Sequence, residues 1–473
     1  MKQKLYINGG WVEGSYEVEL FSPFSGDKLA DIACASLEQV DQALTSAVRA
    51  KEKMRMLTAY ERSLILEEVS SLLMARREEA ARLIAAESAK PIKAAYVEVD
   101  RTATTFKLAA EEAKRIYGET IPTDSVAGGE NRLAFTKKEP VGVVGAITPF
   151  NFPMNLVAHK LGPAFAAGNS VMLKPAEQTP LSAFFIAGLF HEAGLPSGAL
   201  NVVIAPGKEI AEYIVKDERV NYISFTGSPK VGEQVRSSAR LKRVTLELGS
   251  NSAVIIDRDV NVAKVAARCV AGAFSNQGQV CISLQRIYVV EDIYESFIEH
   301  FMQEMRQLVL GDPLDPHTDL SALINPAAAA RALAWVKEAM QQGAGLLAGG
   351  IAEGRLMQPT VLVEVPESAK VIQEEVFAPL VCINRVSNIE QGIELVNQSQ
   401  YGLQAGIYTN QLGIALDAAD KLQAGGVMIN DIPTFRLDHL PYGGWKSSGI
   451  GREGIKYAME EMCETKLVIF NRN

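Results

Sequence analysis

The sequence contains neither a long apolar run nor an excess of basic residues. Because no stretch of about 18 consecutive apolar residues occurs, we expect no transmembrane helix. The N-terminal residues also lack the apolar core of a signal peptide. The formal net charge is −9, whereas a surface that binds nucleic acid needs an excess of Lys and Arg. We therefore expect a protein that binds neither membranes nor nucleic acid.

Cysteine is also scarce, with five residues in a chain of 473. The five are scattered, and no CxxC or Cys/His spacing typical of a metal site or of a disulfide framework occurs. We expect no bound metal. A reducing compartment, the cytoplasm, fits this cysteine usage best.

The chain does contain a clear change of hydrophobic period. Residues 37–116 repeat apolar positions at helical spacing and predict three or more amphipathic helices. From Val141 onward, short apolar runs of strand length alternate with helical segments, which predicts βαβ units and a parallel sheet. The alternation resumes near Ser252, which indicates a second region of the same kind. The predicted fold class is α/β, with two or three domains at this length.

Two strand ends in the first of these regions carry residues suited to a dinucleotide. In NYISFTGSPKVGE, Gly227 allows a ligand to approach the backbone, and Ser228 can cap the following helix. In SVMLKPAEQTP, Lys174 and Glu177 follow a strand and could contact ribose hydroxyls. A carboxylate there would repel a 2′-phosphate, which favours NAD over NADP. An ordinary βα turn and a solvated Lys–Glu pair are the alternative interpretations.

Asn151 and Glu247 also follow or end predicted strands. Asn151 lies in the rigid, largely apolar stretch AITPFNFPMNL, where its amide N–H could stabilise an oxyanion. An Asn that bonds its own turn is the alternative. Glu247 lies in the apolar run VTLELG, and burial there would raise its pKa into the range of a general base. A Glu on an edge strand facing water is the alternative.

The stretch SNQGQVCIS raises the question of whether Cys281 is a nucleophile or a packing residue. A lone cysteine is usually a small buried hydrophobe. Together with Asn151 and Glu247, however, Cys281 would complete one reaction. A thiolate adds to a carbonyl, Asn151 and the Cys281 N–H hold the oxyanion, hydride leaves to a nicotinamide, and Glu247 activates water to hydrolyse the thioester.

Seven short motifs then occur in a fixed order along the chain. They are TPFNFP (148–153), KPAEQTP (174–180), FTGS (225–228), LELG (246–249), GQVC (278–281), EEVFAP (374–379) and PYGGWKSSGIGREG (441–454). On these motifs the chain resembles the aldehyde dehydrogenase superfamily over nearly its full length. The resemblance implies that Cys281 is the nucleophile, Glu247 the general base and Asn151 the oxyanion donor.

The resemblance also implies a nicotinamide cofactor, with NAD preferred and NADP as the alternative. Lys174 and Glu177 match contacts to the adenosine ribose, and Glu375 and Phe377 match contacts to the nicotinamide half. The full set of implied cofactor contacts is Thr148, Pro149, Phe150, Lys174, Glu177, Gly227, Ser228, Glu375 and Phe377.

The family fold implies a Rossmann-like cofactor domain, an α/β catalytic domain and a small β oligomerisation element. The cofactor domain would take residues 1–118 and 141–247, the catalytic domain 248–454, and the oligomerisation element 119–140 with the tail 455–473. The tail ends in a β-like stretch with no strand partner nearby in sequence. Pairing across a homodimer, or within a homotetramer, would offer it a partner.

The substrate is indicated by a departure from the common family pattern. Many members read Glu-Leu-Gly-Gly, whereas residues 247–252 read Glu-Leu-Gly-Ser-Asn-Ser, which resembles the lactaldehyde-dehydrogenase-like branch. This implies a short aldehyde with a hydroxyl or anionic tail, which Arg436, assisted by Arg101, would anchor. Structural or interface ion pairs are the alternative for both arginines. The predicted pocket residues are Arg101, Met154, Val280, Ile282 and Arg436.

Three other functions remain open from the sequence. An acylating dehydrogenase would release the thioester to coenzyme A, and Glu247 argues against it because that chemistry needs no water-activating base. A catalytically retired binding protein on this fold would have no need for Cys281, Glu247 and Asn151 together. A thiol hydrolase usually has a His near the thiol, and none of the five histidines lies near Cys281 in sequence.

Overall fold

The computed structural model describes residues 2–472 of the chain. Residues 1 and 473, which end the first and last predicted segments, lie outside this range. The strands are β1 (Lys2–Gln3), β2 (Leu5–Ile7), β3 (Gly10–Val12), β4 (Tyr16–Phe21), β5 (Lys28–Cys34), β6 (Thr120–Ile121), β7 (Arg132–Pro140), β8 (Val143–Ile147), β9 (Ser170–Lys174), β10 (Leu200–Val202), β11 (Tyr222–Thr226), β12 (Arg243–Glu247), β13 (Ala253–Ile256), β14 (Arg286–Val290), β15 (Gly345–Ala348), β16 (Ala352–Glu353), β17 (Leu356–Met357), β18 (Thr360–Val363), β19 (Leu380–Val386), β20 (Tyr401–Gly402), β21 (Gln404–Tyr408), β22 (Gly426–Ile429), β23 (Trp445–Lys446), β24 (Gly449–Ile450) and β25 (Cys463–Asn471).

Helices separate most of the strands of the two large sheets. They are α1 (Leu37–Met56), α2 (Ala59–Ala75), α3 (Arg77–Ser88), α4 (Ile92–Ala113), α5 (Asn155–Ala167), α6 (Leu181–Glu192), α7 (Glu209–Lys216), α8 (Pro229–Ser238), α9 (Val262–Phe274), α10 (Tyr294–Met305), α11 (Pro326–Gln341), α12 (Lys370–Gln373), α13 (Ile389–Asn397), α14 (Leu412–Lys421) and α15 (Ile455–Glu461). Within residues 2–472, no helix combines the length and the apolar composition needed to cross a membrane.

The predicted helical region forms four helices, α1 to α4, which confirms the helical periodicity of residues 37–116. Reciprocal capping boxes fix where the first two begin. Ser36 accepts from the Gln39 N–H at the start of α1, and Thr58 accepts from the Glu61 N–H at the start of α2. Each cap satisfies backbone donors that the first helical turn leaves without an internal partner.

The first large sheet has eight strands in the order β24-β12-β11-β8-β9-β10-β2-β3. Strands β12, β11, β8, β9 and β10 are parallel, so their carboxyl ends lie along one edge. In register, Glu247 pairs with Thr226, and Ile147 pairs with Lys174. The strand ends that the sequence singles out are therefore neighbours at a single edge, where parallel sheets bind their ligands.

The second large sheet has seven strands in the order β15-β18-β19-β14-β13-β21-β22. All neighbours are parallel except the β15–β18 pair. The five strands inside the two edge strands β15 and β22 are almost entirely buried, and apolar side chains on both of their faces pack against helices. Two α/β sheets confirm the predicted fold class. The late strand β24 returns to pair with β12, which brings residues after 440 back to the first sheet.

A smaller antiparallel sheet joins residues far apart in the chain. Strand β25 pairs with β7 from Cys463 opposite Pro140 to Asn471 opposite Arg132, and β6 pairs with the other side of β7. The tail strand thus has a partner within its own chain. Three large apolar residues of β25 remain about half exposed: Leu467 at 54%, Ile469 at 52% and Phe470 at 54%.

Candidate active site

The backbone just before Cys281 folds into a tight left-handed turn. Asn276, Gln277 and Gly278 have φ angles of 48°, 56° and 69°. A Cβ on Gly278 would lie 2.1 Å from the carbonyl oxygen of Ala378, so only glycine fits there. Consecutive residues in this region are disfavoured by about 1–2 kcal/mol each, so the surrounding structure must hold the turn.

Side-chain hydrogen bonds to carbonyl groups supply that support. The Asn276 amide donates to the Asn151 carbonyl at 3.1 Å. The Gln277 amide donates to the carbonyls of Ala89 at 2.9 Å and Ala322 at 3.1 Å. Three separate segments of the chain therefore fix the loop that presents Cys281.

Two cavities meet at the Cys281 side chain, which lines both. We name them after the ligands that the sequence predicts: the cofactor-side cavity, of about 220 Å³, and the substrate-side cavity, of about 260 Å³. Other residues of the cofactor-side cavity include Pro149, Phe150, Asn151, Gly227, Ser228, Glu247, Arg331, Glu375 and Phe377. Other residues of the substrate-side cavity include Lys90, Glu98, Arg101, Phe152, Val280, Ile282, Arg436 and Tyr442.

Glu247 ends strand β12 and projects into the cofactor-side cavity. It is 3% exposed, and neither carboxylate oxygen has a hydrogen-bond partner. Burial, and then the nearby negative charge of Glu453, raise the pKa of Glu247 well above its usual value. Because β12 lies between β11 and β24 and the side chain is buried, the interpretation of a water-facing edge residue is wrong.

Asn151, which follows strand β8, connects this part of the first sheet to the loop that carries Cys281. Its side-chain Nδ2 donates to the Gln279 carbonyl at 2.9 Å, and its Oδ1 is buried without a partner. An amide nitrogen carries two hydrogens, so one N–H of Asn151 remains available to a ligand. The partner of this side chain is the loop that carries Cys281, rather than the Asn151 turn itself.

The predicted cofactor residues end or follow strands of the first sheet, except Glu375 and Phe377, which lie between α12 and β19 of the second sheet. Six of them line the cofactor-side cavity, namely Pro149, Phe150, Gly227, Ser228, Glu375 and Phe377. Burial raises the pKa of Glu375 to about 7, and its carboxylate accepts from the Ser250 N–H at 3.0 Å. Ser228 occupies the N-cap position of α8, but its side chain accepts no hydrogen bond from the helix, so the expected side-chain cap is wrong.

The other three predicted cofactor residues lie outside this cavity. Lys174 and Glu177 form an ion pair of 3.4 Å just beyond β9. Thr148 is buried beside them, with its N–H donating to the Lys174 carbonyl at 3.2 Å and its hydroxyl lacking a partner. Burial lowers the pKa of Lys174, and the charge of Glu177 opposes that shift.

The two predicted arginines both line the substrate-side cavity and both form ion pairs. Arg101 donates to both oxygens of Asp438, at 3.0 and 2.6 Å. The Arg436 Nη2 donates to Glu453 at 3.0 Å, while its buried Nε has no partner. Each arginine thus has N–H groups that its ion pair does not use. Val280 and Ile282 line the same cavity.

One predicted pocket residue lies elsewhere, and one cation was not predicted. Met154 is fully buried and is not part of the cavity lining, because it begins the turn into α5 with its N–H bonded to Glu98 at 2.9 Å. Lys90 does line the cavity. It is ion-paired with Glu98 and lies 3.7 Å from the centre of the Phe152 ring. Among the described side chains, no group of three or more His, Cys, Asp or Glu is arranged to hold a metal ion.

Comparison with known proteins assigns the family. Residues 11–468 match the pattern described as "Aldehyde dehydrogenase family". The chain belongs to the aldehyde dehydrogenase family. As a member it is an oxidoreductase, and its two-sheet α/β architecture is that of an aldehyde dehydrogenase.

Three similar proteins have names that describe small aldehydes. The 3-sulfolactaldehyde dehydrogenase of Priestia megaterium is 47% identical over 467 residues, covering 99% of this chain and 98% of the relative. The lactaldehyde dehydrogenase of Methanococcus maripaludis is 40% identical over 471 residues, covering 99% and 100%. The structure of glyceraldehyde-3-phosphate dehydrogenase GapN from Methanocaldococcus jannaschii, complexed with NADP, has a TM-score of 0.93 at 40% identity, covering 97% and 100%.

A further cavity, of about 420 Å³, lies along this aldehyde dehydrogenase's helices α7 and α8 and was not predicted. Its walls include Ala211, Val215, Val231 and Ser237. Helix α8 begins just after the Gly227–Ser228 turn, which lines the cofactor-side cavity.

Proposed function

We propose that this chain oxidises a short aldehyde with an anionic or hydroxyl-bearing tail to its carboxylic acid, with Cys281 as the nucleophile. The observation that carries the proposal is the position of Cys281, which is shared by two cavities. Glu247 and Asn151 lie on one side of it, and a cation-rich pocket lies on the other. A retired site would not need a buried, unpartnered carboxylate next to a cysteine at such a junction.

The proposed chemistry begins when the Cys281 thiolate adds to the aldehyde carbon. The free Asn151 N–H and the Cys281 backbone N–H stabilise the oxyanion of the thiohemiacetal. A bound nicotinamide supplies the hydride acceptor that converts this adduct into a thioester. Glu247, in its ionised form, then takes a proton from water, and the hydroxide releases the acid and the thiolate.

The residues present fit a dinucleotide, and we propose NAD as the preferred cofactor. The Gly227–Ser228 turn lines the cofactor-side cavity and precedes α8, whose N-terminus is suited to a phosphate. Lys174 and Glu177 would hold the adenosine ribose, and the Glu177 carboxylate would repel a 2′-phosphate. NADP is the alternative, since GapN from M. jannaschii was solved with NADP.

We propose that the cation-rich pocket selects the tail of the substrate. Three basic side chains, Lys90, Arg101 and Arg436, line it, and each is ion-paired, with Glu98, Asp438 and Glu453 respectively. The N–H groups of Arg101 and Arg436 that these ion pairs leave unused favour a sulfonate, phosphate or carboxylate at the far end of the aldehyde. The names of the sulfolactaldehyde and glyceraldehyde-3-phosphate relatives describe aldehydes of this kind.

We also propose that the chain divides as the family fold implies. Residues 1–118 and 141–247 would bind the cofactor, and 248–454 would carry the catalytic cysteine. Segments 119–140 and 455–473 supply the strands of the small sheet, whose exposed apolar side chains suit contact with a second copy. The five unpaired cysteines suit a reducing compartment, for which we propose the cytoplasm.

The first experiment measures NADH and NADPH formation with a panel of short aldehydes. The panel holds 3-sulfolactaldehyde, lactaldehyde, glyceraldehyde 3-phosphate, succinic semialdehyde and propanal, each with NAD and with NADP. We expect turnover with the anionic aldehydes, faster with NAD, and no turnover in Cys281→Ala. Added coenzyme A should not change the rate.

Glu247→Gln separates the two half-reactions in the same assay. We expect a burst of about one reduced cofactor per active site, followed by a steady-state rate lowered by about 10²–10⁴-fold, because the water is no longer activated. Absence of reduced cofactor with the whole panel would contradict the proposal. A rate that requires coenzyme A would replace it with the acylating alternative.

A further inference from the structure

The sulfur of Cys281 has one side-chain hydrogen-bond partner in the described part of the chain. It is the hydroxyl of Tyr442, at a distance of 2.9 Å. We propose that Tyr442 donates this hydrogen bond to the Cys281 thiolate, and so both holds the sulfur on the substrate side of the junction and favours its ionised form.

Three contacts fix the Tyr442 ring in place. Its backbone pairs with Glu453, with N–H to carbonyl distances of 3.0 Å and 2.6 Å in the two directions. The guanidinium carbon of Arg436 lies 3.7 Å from the centre of the ring, and the Glu453 carboxylate holds that guanidinium. Glu453 therefore supports Tyr442 twice, through its backbone and through Arg436. A hydroxyl presented this rigidly loses little entropy when it bonds the sulfur.

The chemistry of the pair sets the direction of the hydrogen bond. Burial, and then the neighbouring Cys281, raise the pKa of Tyr442 well above its usual value, so the phenol keeps its proton. Burial raises the pKa of the Cys281 thiol to about 11, and the Tyr442 hydrogen bond and the Arg436 charge oppose that rise. When the thiol ionises, its proton passes to water and the phenol remains neutral. The thiolate then accepts from the phenol O–H, and this charge-assisted bond is stronger than one to a neutral thiol.

The same contact selects where the sulfur points. Tyr442 lines the substrate-side cavity, whereas the cofactor-side cavity does not include it. A Cys281 sulfur that is hydrogen-bonded to Tyr442 therefore faces the incoming aldehyde. Once the carbon–sulfur bond has formed, the sulfur carries no negative charge and the hydrogen bond weakens. It strengthens again when hydrolysis of the thioester releases the thiolate.

The test is the pH dependence of Cys281 alkylation by iodoacetamide, read by mass spectrometry without aldehyde or cofactor. In Tyr442→Phe we expect the midpoint to rise by about one pH unit, the size expected for loss of one hydrogen bond to a charged sulfur. At a pH below the midpoint, this shift makes alkylation of Cys281 about tenfold slower. Tyr294→Phe is the matched control, since it removes a buried hydroxyl bonded to the Ile383 carbonyl at 3.1 Å, away from both cavities.

A second variant covers the case in which Tyr442→Phe fails to fold. Replacing Tyr442 with 3-fluorotyrosine keeps the shape of the ring and makes the phenol a stronger donor, so the midpoint should fall. An alkylation midpoint that stays at the wild-type value in either folded variant would overturn the inference. In steady-state turnover, Tyr442→Phe should lower kcat/KM at neutral pH. At alkaline pH, kcat/KM should return toward the wild-type value.

This inference rests on the proposed role of Cys281, yet the two can fail separately. If Cys281→Ala abolishes turnover while Tyr442→Phe leaves the alkylation profile unchanged, only the role of Tyr442 is wrong. If Tyr442→Phe shifts the pH midpoint of alkylation but no aldehyde is oxidised, only the proposed function is wrong.

Discussion

At the scale of single residues, the charge state of Glu247 depends on a neighbour that does not touch it. Glu453 is buried, which opposes its ionisation, but Lys160 and Arg436 are among the cations that hold its pKa down at about 2. Its permanent negative charge keeps the pKa of Glu247 raised. Only ionised Glu247 can activate water, so the rate of hydrolysis should increase as pH rises through that raised pKa.

Glu453→Gln should therefore move the acidic limb of the kcat profile to lower pH. The substitution removes the negative charge while Lys160 and Arg436 keep their positive charges, which favours ionised Glu247. The measurement is steady-state kcat against pH, with Glu460→Gln on the exposed face of α15 as the control. An acidic limb that stays in place or moves to higher pH would show that the charge of Glu453 does not control the pKa of Glu247.

Arg101 is the residue through which the substrate proposal is best tested. Its side chain is 27% exposed and lines the substrate-side cavity, whereas Arg436 also supports Tyr442 and so has a second role. Arg101→Leu should lower kcat/KM for succinic semialdehyde by about tenfold or more and leave propanal nearly unchanged, because only the anionic tail loses a cation. Arg77→Leu, which breaks a surface pair with Asp100, is the control. Equal losses on both aldehydes would assign Arg101 to structure alone.

At the scale of elements, the left-handed turn before Cys281 is the feature that positions the proposed nucleophile. Its backbone is strained, and carbonyl groups from three segments hold it. Such strain persists only where the surroundings impose it, and it is common at reactive sites.

Gly278→Ala should disrupt this turn and abolish most activity. The added Cβ would lie 2.1 Å from the Ala378 carbonyl oxygen, on a residue with φ of +69°. We expect a loss of unfolding free energy of about 1–3 kcal/mol, read from chemical denaturation, and slower alkylation of Cys281. In Gly413→Ala, where nothing lies within 4 Å of the new methyl group, both should be unchanged. Wild-type activity in Gly278→Ala would mean that the turn can relax without moving the cysteine.

At the scale of the whole molecule, the small antiparallel sheet joins the middle of the chain to its end. Strand β25 is an edge of this sheet, and edge strands with exposed apolar residues readily associate with another chain. The Leu467→Asp/Ile469→Asp double variant should therefore lower the oligomeric mass measured by light scattering while retaining the helical content. Leu416→Asp, on an equally exposed leucine of α14, should leave the mass unchanged. An unchanged mass in the double variant would place the subunit contact elsewhere.

The sequence by itself determined the parts of this protein that depend on local chemistry. Alternating strand and helix periods fixed the α/β class, because hydrophobic period follows directly from backbone geometry. Short motifs predicted Cys281, Glu247 and Asn151 as catalytic residues, since each lies in a stretch whose residue types suit the role proposed for it. The motifs also located the strand ends that form the cofactor edge, because the carboxyl ends of parallel strands gather at one edge of a sheet.

Only the tertiary structure decided which distant side chains meet. Tyr442 lies 161 residues from Cys281, and Arg101 lies 337 residues from Asp438, so no local pattern could reveal either pair. The strand partner of the tail and the burial of Met154 likewise depend on packing. The pKa of Glu247 is raised by burial and then by the charge of Glu453, and both arise only when the chain after β24 returns to the first sheet. Long-range contacts and burial arise from the folded chain, and they determine the electrostatics of the site.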